Sequence, residues 1–354
     1  MDERMNIQWY PGHMTKTRRN MEADLKLVDA VCEIVDARIP FSSRNPDIDA
    51  ICGQKPRMMI LNRIDLADPA ATDVWQNYWQ AQGMTVVRTD CRFVPAVRSM
   101  LAEKLQRYAD KGQTGRALKV MIVGIPNVGK STFINQIAGR KGAKAENRPG
   151  VTRGKQWVTV DSGLLLLDTP GILWPKFDDE EVGRRLAYTG AVKDDVLDVE
   201  TLACHLAAML WARYPEAMRA RYKLDPPEDA SGYDLLTEAG RRRGFLLARG
   251  EIDTERMARV LLEEYRSCKI GRFTLEDRGM RYELIREIFN LCSNNQMRDV
   301  FVSEVETSDP EAVARTYCRG KDVTMDRTDN EDGSIIFDVV ADGLHQRLSF
   351  TPDD

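Results

Sequence analysis

Three things are scarce in these 354 residues. No apolar run reaches about 18 residues, the length a helix needs to cross a bilayer, so no membrane span and no membrane partner is expected. No Cys-x-x-Cys pair occurs. The seven cysteines (Cys32, Cys52, Cys91, Cys204, Cys268, Cys292, Cys318) are scattered and odd in number, which argues for reduced thiols in a cytoplasm and against a zinc site or disulfide framework. The opening Met1-Asp2-Glu3-Arg4 is acidic and begins no apolar signal core, so a cytoplasmic protein is expected. Net positive charge is lacking as well. The chain holds 51 Lys/Arg against 55 Asp/Glu, a net of −4. The deficit is local: residues 278–354 carry 9 Lys/Arg against 16 Asp/Glu, and the preceding 277 residues carry 42 against 39. The body is therefore compatible with a polyanionic partner without demanding one. At 43% hydrophobic and 30% charged, what remains is ordinary globular sequence, long enough for two or three domains.

One stretch organises the rest. Val120 to Val123 has the apolar, β-branched character of a buried strand and runs into Gly124-Ile125-Pro126-Asn127-Val128-Gly129-Lys130-Ser131-Thr132. Gly124, Gly129, Lys130 and Ser131 fall at the spacing of a phosphate loop, whose glycines let successive N–H groups face phosphate oxygens. The following helix aims its positive end at the same phosphates. Asn127, Val128, Gly129, Lys130, Ser131 and Thr132 are thus the candidate phosphate-binding residues. Lys130 would reach the β- and γ-phosphates, and the Ser131 hydroxyl would bind Mg2+.

Along the chain, strands are expected at Ala30 to Val35, Met58 to Leu61, Thr85 to Arg88, Trp157 to Val160 and Leu164 to Leu167. Helices are expected at Thr15 to Val28, Pro69 to Gln82 and Val97 to Tyr108. Trp75, Tyr78 and Trp79 at helical spacing read as core. Alternation of this kind implies a mostly parallel sheet with helices on both faces. Residues 140–155, glycine-rich with six cations and only Glu146 against them, read as a mobile loop. From about residue 179 the pattern is helical, at 180–191, 200–213, 215–222, 231–243 and 253–268. Residues 297–350 read strand, helix, strand, strand.

Three more fragments complete a nucleotide site. Asp168-x-x-Gly171 would hold Mg2+ through water and present the Gly171 N–H to the γ-phosphate. Thr152 would add a second hydroxyl to Mg2+. Asn62-Arg63-Ile64-Asp65 follows an apolar strand, and the Asp65 carboxylate can accept from both N1–H and the 2-amino group of guanine. Adenine offers no matching pair of donors, so the set selects GTP and GDP over ATP. The base-reading fragment lies upstream of the phosphate loop here, which a circular permutation explains: the sheet is complete and the chain ends are moved to just past Gly171. Asn127 is polar between apolar Ile125 and Val128. Its side-chain oxygen either helps bind K+ beside the phosphates or braces the loop. Ile172 follows Gly171 where many GTPases place a glutamine, so the group that orients the attacking water must come from elsewhere.

Tyr10-Pro11-Gly12-His13-Met14, Asp36-Ala37-Arg38-Ile39-Pro40 with Ser43-Arg44-Asn45-Pro46, Gly124 to Thr132, Arg148-Pro149-Gly150-Val151-Thr152 and Asp168-Thr169-Pro170-Gly171-Ile172-Leu173-Trp174-Pro175-Lys176 together resemble the bacterial ribosome biogenesis GTPase A family. The likeness is collinear from about Ile7 to Glu276. It implies a circularly permuted GTPase domain (1–178), an all-α RNA-binding domain (179–277) and a role in late assembly of the large (50S) ribosomal subunit. The expected partners are the subunit precursor, its rRNA and its ribosomal proteins, with no DNA. It also points to His13 as the residue that positions water, against a purely structural histidine. Three departures stand out. Arg63 replaces the family's usual lysine, the guanine loop is only loosely matched at Thr89-Asp90-Cys91, and the acidic α+β extension at 278–354 runs beyond the family's usual end. Arg213, Arg219, Arg221, Lys223 and Arg241 to Arg243 are candidate RNA contacts in a segment that is nearly neutral overall. A GTPase switch acting on a protein partner without RNA is the alternative, and Asn62-x-x-Asp65 argues against an ATPase or small-molecule kinase.

Overall fold

In the computed structural model, every residue of β1 (Ala30–Asp36) is buried, as expected of a central strand covered on both faces. β2 (Arg57–Asn62), β3 (Thr85–Arg88), β4 (Leu118–Val123) and β6 (Leu164–Asp168) run parallel to it, and β5 (Gln156–Asp161) pairs antiparallel with β6. The order β3-β2-β1-β4-β6-β5 sets the phosphate-loop strand β4 between β1 and β6. Register then aligns the strand ends: Asp36 lies opposite Asn62, and Ile122 opposite Asp168. The structure describes residues 12–89, 92–113, 115–139, 156–161, 163–174, 177, 180–227, 230–248, 250–276, 280–289, 298–307, 310–317, 323–330, 332–341 and 344–352. Of residues 12–17, 196, 280–281, 306–307 and 312 it describes the backbone alone.

Helices α1 (Gly12–Asp24), α2 (Asp47–Cys52), α3 (Pro69–Ala81), α4 (Phe93–Met100), α5 (Ala102–Asp110) and α6 (Lys130–Ile137) accompany the sheet. Asp68 starts α3 by accepting from the N–H groups of Ala70 and Ala71, with Pro69 in the first turn. Trp75 and Trp79 pack with their ring centroids 5.1 Å apart against Val35, Met59 and Leu61, the expected core role. The helix expected over 97–108 is instead two helices broken at Leu101. Its buried side chain belongs to the main core and turns the chain there. α1 starts three residues before the expected Thr15 and ends at Asp24.

Next come α7 (Glu180–Tyr188), α8 (Val199–Arg213), α9 (Pro215–Tyr222), α10 (Gly232–Arg242) and α11 (Thr254–Arg266), close to the expected spans. Leu202, Leu206 and Leu210 of α8, spaced for one helical face, join the same buried cluster as Ile34, Ile60 and Ile122 of the sheet. Sheet and helices therefore form one compact unit, residues 1–276. A strap at its end returns to the sheet: Leu275 N–H donates to the Arg38 carbonyl at 2.7 Å, and the buried Glu276 carboxylate accepts from the N–H groups of Phe41 and Ser42.

Residues 277–354 form a second unit. β7 (Met280–Phe289), β8 (Arg298–Thr307), β9 (Val323–Asp329), β10 (Ile335–Ala341) and β11 (Leu344–Pro352) make an antiparallel sheet, order β8-β7-β11-β10-β9, with α12 (Pro310–Thr316). Tyr282, Leu284, Phe337, Val339, Leu348 and Phe350 alternate inward to build its core with Ala314. β7 was not expected. Its inward Tyr282 and Leu284 alternate with Arg281 and Glu283, but the adjacent apolar pairs Leu284-Ile285 and Ile288-Phe289 break the two-residue period. Among the described residues no helix is long and apolar enough to cross a membrane.

Since residues 1–276 bury their own core, a chain ending at Asp277 is expected to stay soluble, melt cooperatively and hydrolyse GTP. Circular dichroism and a phosphate-release assay check this. Loss of soluble protein or of hydrolysis would show that the second unit is integral to the first.

Candidate functional site

The site lies at the carboxyl ends of β2, β4 and β6, where an open α/β sheet places its ligands. β4 delivers the phosphate loop, and Gly129 caps α6 with φ +99°, a left-handed conformation that suits glycine. A Cβ at 129 would sit 2.4 Å from the Asn62 amide nitrogen. That space is needed because Asn62 Nδ2 donates to the Val128 carbonyl at 2.7 Å. Thr89 at the end of β3 holds the other side of the amide, donating to Asn62 Oδ1 at 2.8 Å. Arg63, in the lysine position, donates to the Asn127 carbonyl at 3.0 Å. The segment Asn62 to Arg63 and the phosphate loop are thus fastened directly to each other.

Lys130 is buried, and its ammonium donates to the carbonyls of Gly124 at 3.1 Å and Ile125 at 2.8 Å. Burial lowers its pKa to about 8, against the opposing pull of Asp168. Ser131 donates from Oγ to Asp168 Oδ2 at 2.9 Å. Burial pushes the Asp168 carboxyl above its ordinary range despite Lys130 and Ser131, and its Oδ1 is buried with no hydrogen-bond partner among the described residues. An orphaned carboxylate oxygen beside a hydroxyl is a hard oxygen donor pair, so these residues fit Mg2+. Gly171 packs so closely that a Cβ would lie 2.5 Å from Pro126 Cα, which keeps its backbone against the phosphate loop. Ile172 is buried with Met21 of α1, Leu25 just after it and Val123 of β4, so its side chain serves the core and leaves no water-orienting group there.

His13 falls in the first turn of α1, with its side chain outside the described residues. Thr152 and the whole loop 140–155 also lie outside them. Asp65 is exposed in the turn after β2. Asn127 has φ +59° and donates from Nδ2 to the Gly190 carbonyl at 3.3 Å, beyond the end of α7.

Sequence reading missed the contacts that tie the helices to this site. The Asp36 and Arg38 side chains form a buried bidentate pair at 2.9 and 2.7 Å, the Arg38 guanidinium lies 5.5 Å from the Tyr265 ring of α11, and Arg63 Nε lies 3.8 Å from Asp36. The Asp36-Ala37-Arg38 sequence was the available signal, but nothing in it named Tyr265 as a partner. The candidate RNA contacts need correction. Arg221 and Arg243 both pair with buried Glu264, so they brace the helices. Arg241 and Arg242 pair with Glu238, and Arg219 with Glu216. These pairs are exposed and weak enough to be exchanged for another anion.

A phosphate loop, a switch aspartate with its glycine, and a guanine-type Asn-x-x-Asp on one permuted parallel sheet define a P-loop GTPase that binds guanine nucleotide. The sequence profile described as "50S ribosome-binding GTPase" matches residues 119–209. Ribosome biogenesis GTPase A of Priestia megaterium is 48% identical over 282 residues, covering 77% of this chain and 97% of that protein. The protein of the same name from Thermotoga maritima is 31% identical over 270 residues, covering 76% and 94%. Mitochondrial ribosome-associated GTPase 1 of Mus musculus is 36% identical over 215 residues, covering 56% and 65%. The solved structure of GNP-bound YlqF from T. maritima matches with a TM-score of 0.52 at 26% identity, over 74% of this chain and 97% of that one. The chain belongs to the ribosome biogenesis GTPase A family.

Lys130 gives a pH signature. Its free-state pKa is about 8, and bound phosphate favours the charged form, so binding takes up a proton above that value. GDP affinity is expected to fall as pH rises from about 7.5 to about 8.5, with calorimetric heats that depend on buffer ionisation enthalpy. Heats independent of the buffer would mean that Lys130 is already fully protonated before binding.

Proposed function

We propose that this GTPase is an assembly factor for the large (50S) ribosomal subunit. It docks on a precursor particle through rRNA in the GTP state and leaves on hydrolysis, as a maturation checkpoint. Family membership, the description of the matching profile and the names of the relatives support a ribosomal partner. The observation that carries the nucleotide dependence is the joint between site and helices: Asn127 of the phosphate loop bonds to Gly190, and Glu276 holds the loop after β1. Rearrangement around the γ-phosphate therefore has a direct path to α7 and beyond.

Within this reading Asn62, Arg63 and Asp65 hold the base, and Asn127 to Thr132 cradle the phosphates. Lys130 swings from the loop carbonyls to the β- and γ-phosphates. Ser131, Asp168 and Thr152 would hold Mg2+, which neutralises charge on the phosphates when bound. The Gly171 N–H meets the γ-phosphate, so Gly171 and Thr152 together sense it. His13 orients the attacking water. The burial of Ile172 beside α1, the helix that carries His13, supports that assignment. Asn127 spends its amide nitrogen on Gly190, and its side-chain oxygen is the atom a K+ ion would take. The cationic loop 140–155 and the exposed Arg219, Arg241 and Arg242 would face rRNA phosphate.

The test is co-sedimentation with large-subunit particles in a non-hydrolysable GTP analogue, in GDP and without nucleotide, across a salt series, with GTPase rates measured alongside. The expected result is retention with the analogue, release in GDP, steep loss with salt and stimulated hydrolysis. The stimulated rate should fall with His13→Ala and when Na+ replaces K+. No association in any nucleotide state at low salt would overturn the proposal in favour of a switch that acts on a protein partner.

A further inference from the structure

The turn that presents the base-reading residues is strained and is held from far along the chain. Arg63 adopts φ +58°, a left-handed conformation that non-glycine residues keep only where their surroundings impose it. One local bond closes the turn, from Leu66 N–H to the Arg63 carbonyl at 2.9 Å. Arg63 itself holds the Asn127 carbonyl, and further support comes from the strap after α11. Arg272 Nη2 donates to the Ile64 carbonyl at 2.7 Å, and its Nε donates to the Ala67 carbonyl at 2.9 Å. Phe273 N–H donates to the Leu66 carbonyl at 3.2 Å. Thr274 Oγ1 accepts from Asp68 N–H at 3.2 Å and donates to the Ala37 carbonyl at 3.1 Å. The strap therefore grips the carbonyls on both sides of Asp65, which is itself exposed toward solvent.

We infer that Arg272 is a positioning residue for guanine recognition: its guanidinium clamps the Ile64 and Ala67 carbonyls and so fixes where Asp65 meets the base. The inference deepens the reading in which Asp65 accepts from N1–H and the 2-amino group, and it rests on that reading. The geometry needs a fork. One guanidinium spans two carbonyls three residues apart with two differently directed N–H groups, whereas an ammonium concentrates its donors at one point. The clamp also explains how a strained residue can stand next to a residue whose placement decides specificity. Without the clamp the turn relaxes, and Asp65 becomes a mobile carboxylate that any base can approach.

The 2-amino group makes this testable, because inosine diphosphate lacks it and otherwise matches GDP. GDP, IDP and ADP affinities are measured by calorimetry for the full chain and for Arg272→Ala, Arg272→Lys, Asp65→Ala and the double variant Asp65→Ala with Arg272→Ala. Arg272→Ala is expected to weaken GDP about tenfold and to shrink the GDP-to-IDP preference, with Arg272→Lys intermediate. In the Asp65→Ala background the Arg272 substitution should add less than about twofold, because the two residues act through one contact. Equal weakening of GDP and IDP would make Arg272 a general brace and overturn the inference, as would unchanged GDP affinity. If Arg272→Ala does not fold, the Arg272→Lys ratios decide on the same terms. An unsubstituted chain that binds GDP, IDP and ADP alike would instead bring down the Asp65 reading, and the inference with it.

Discussion

The hydrogen bond from the Asn62 amide to the Val128 carbonyl, 2.7 Å long, is where two distant parts of the chain become one site. It requires Gly129, since any side chain there would occupy the position of the amide. β2 ends opposite Asp36 of β1 and β4 three residues earlier, opposite Glu33, so the phosphate loop runs on past the end of β4 to bring the Val128 carbonyl to Asn62. The permuted chain order therefore costs the site nothing: the sheet, not the order of segments, brings Asn62 and the phosphate loop together.

A second layer of interactions binds the helices to this site. The Asp36–Arg38 pair is fully buried. Burial alone would raise the Asp36 carboxyl, but Arg38 holds it below its usual range. The stability it contributes is thus present above the unfolded carboxyl pKa and is lost as pH falls through the lower folded value. Removing either partner strands a buried charge, at a cost of about 3–5 kcal/mol. Burial instead raises Glu276, against its bonds to Ser42 and Phe41 and the charge of Arg185. Together these groups fasten the loop after β1 to the far end of the helical segment.

Much of this was legible in the sequence because the motifs are local. Gly124 to Ser131, Asp168 to Gly171 and Asn62 to Asp65 each announce themselves within a few residues, and each follows an apolar strand. The chain order of those motifs was enough to imply the permutation. What stayed hidden depends on residues far apart in sequence. Arg272 reads as one more surface cation until it is seen on the carbonyls of Ile64 and Ala67. Arg221 and Arg243 read as RNA contacts until Glu264 is found between them. β7 was concealed by the adjacent apolar pairs Leu284-Ile285 and Ile288-Phe289, which break the strand period, and the break at Leu101 by an apolar period that continues through it. Local pattern gives element type and motif, whereas the supporting contacts belong to the tertiary fold.

We propose that the segment preceding the phosphate loop selects guanine through Asp65. The most direct measurement is calorimetric binding of GDP, ADP and xanthosine diphosphate to the native chain and to Asp65→Asn. The native chain is expected to bind GDP at least about 100-fold more tightly than ADP, because adenine leaves the carboxylate unpaired. Asp65→Asn is expected to lose GDP affinity and gain affinity for xanthosine diphosphate. Equal GDP and ADP affinity in the native chain, or GDP binding unchanged by Asp65→Asn, would contradict it.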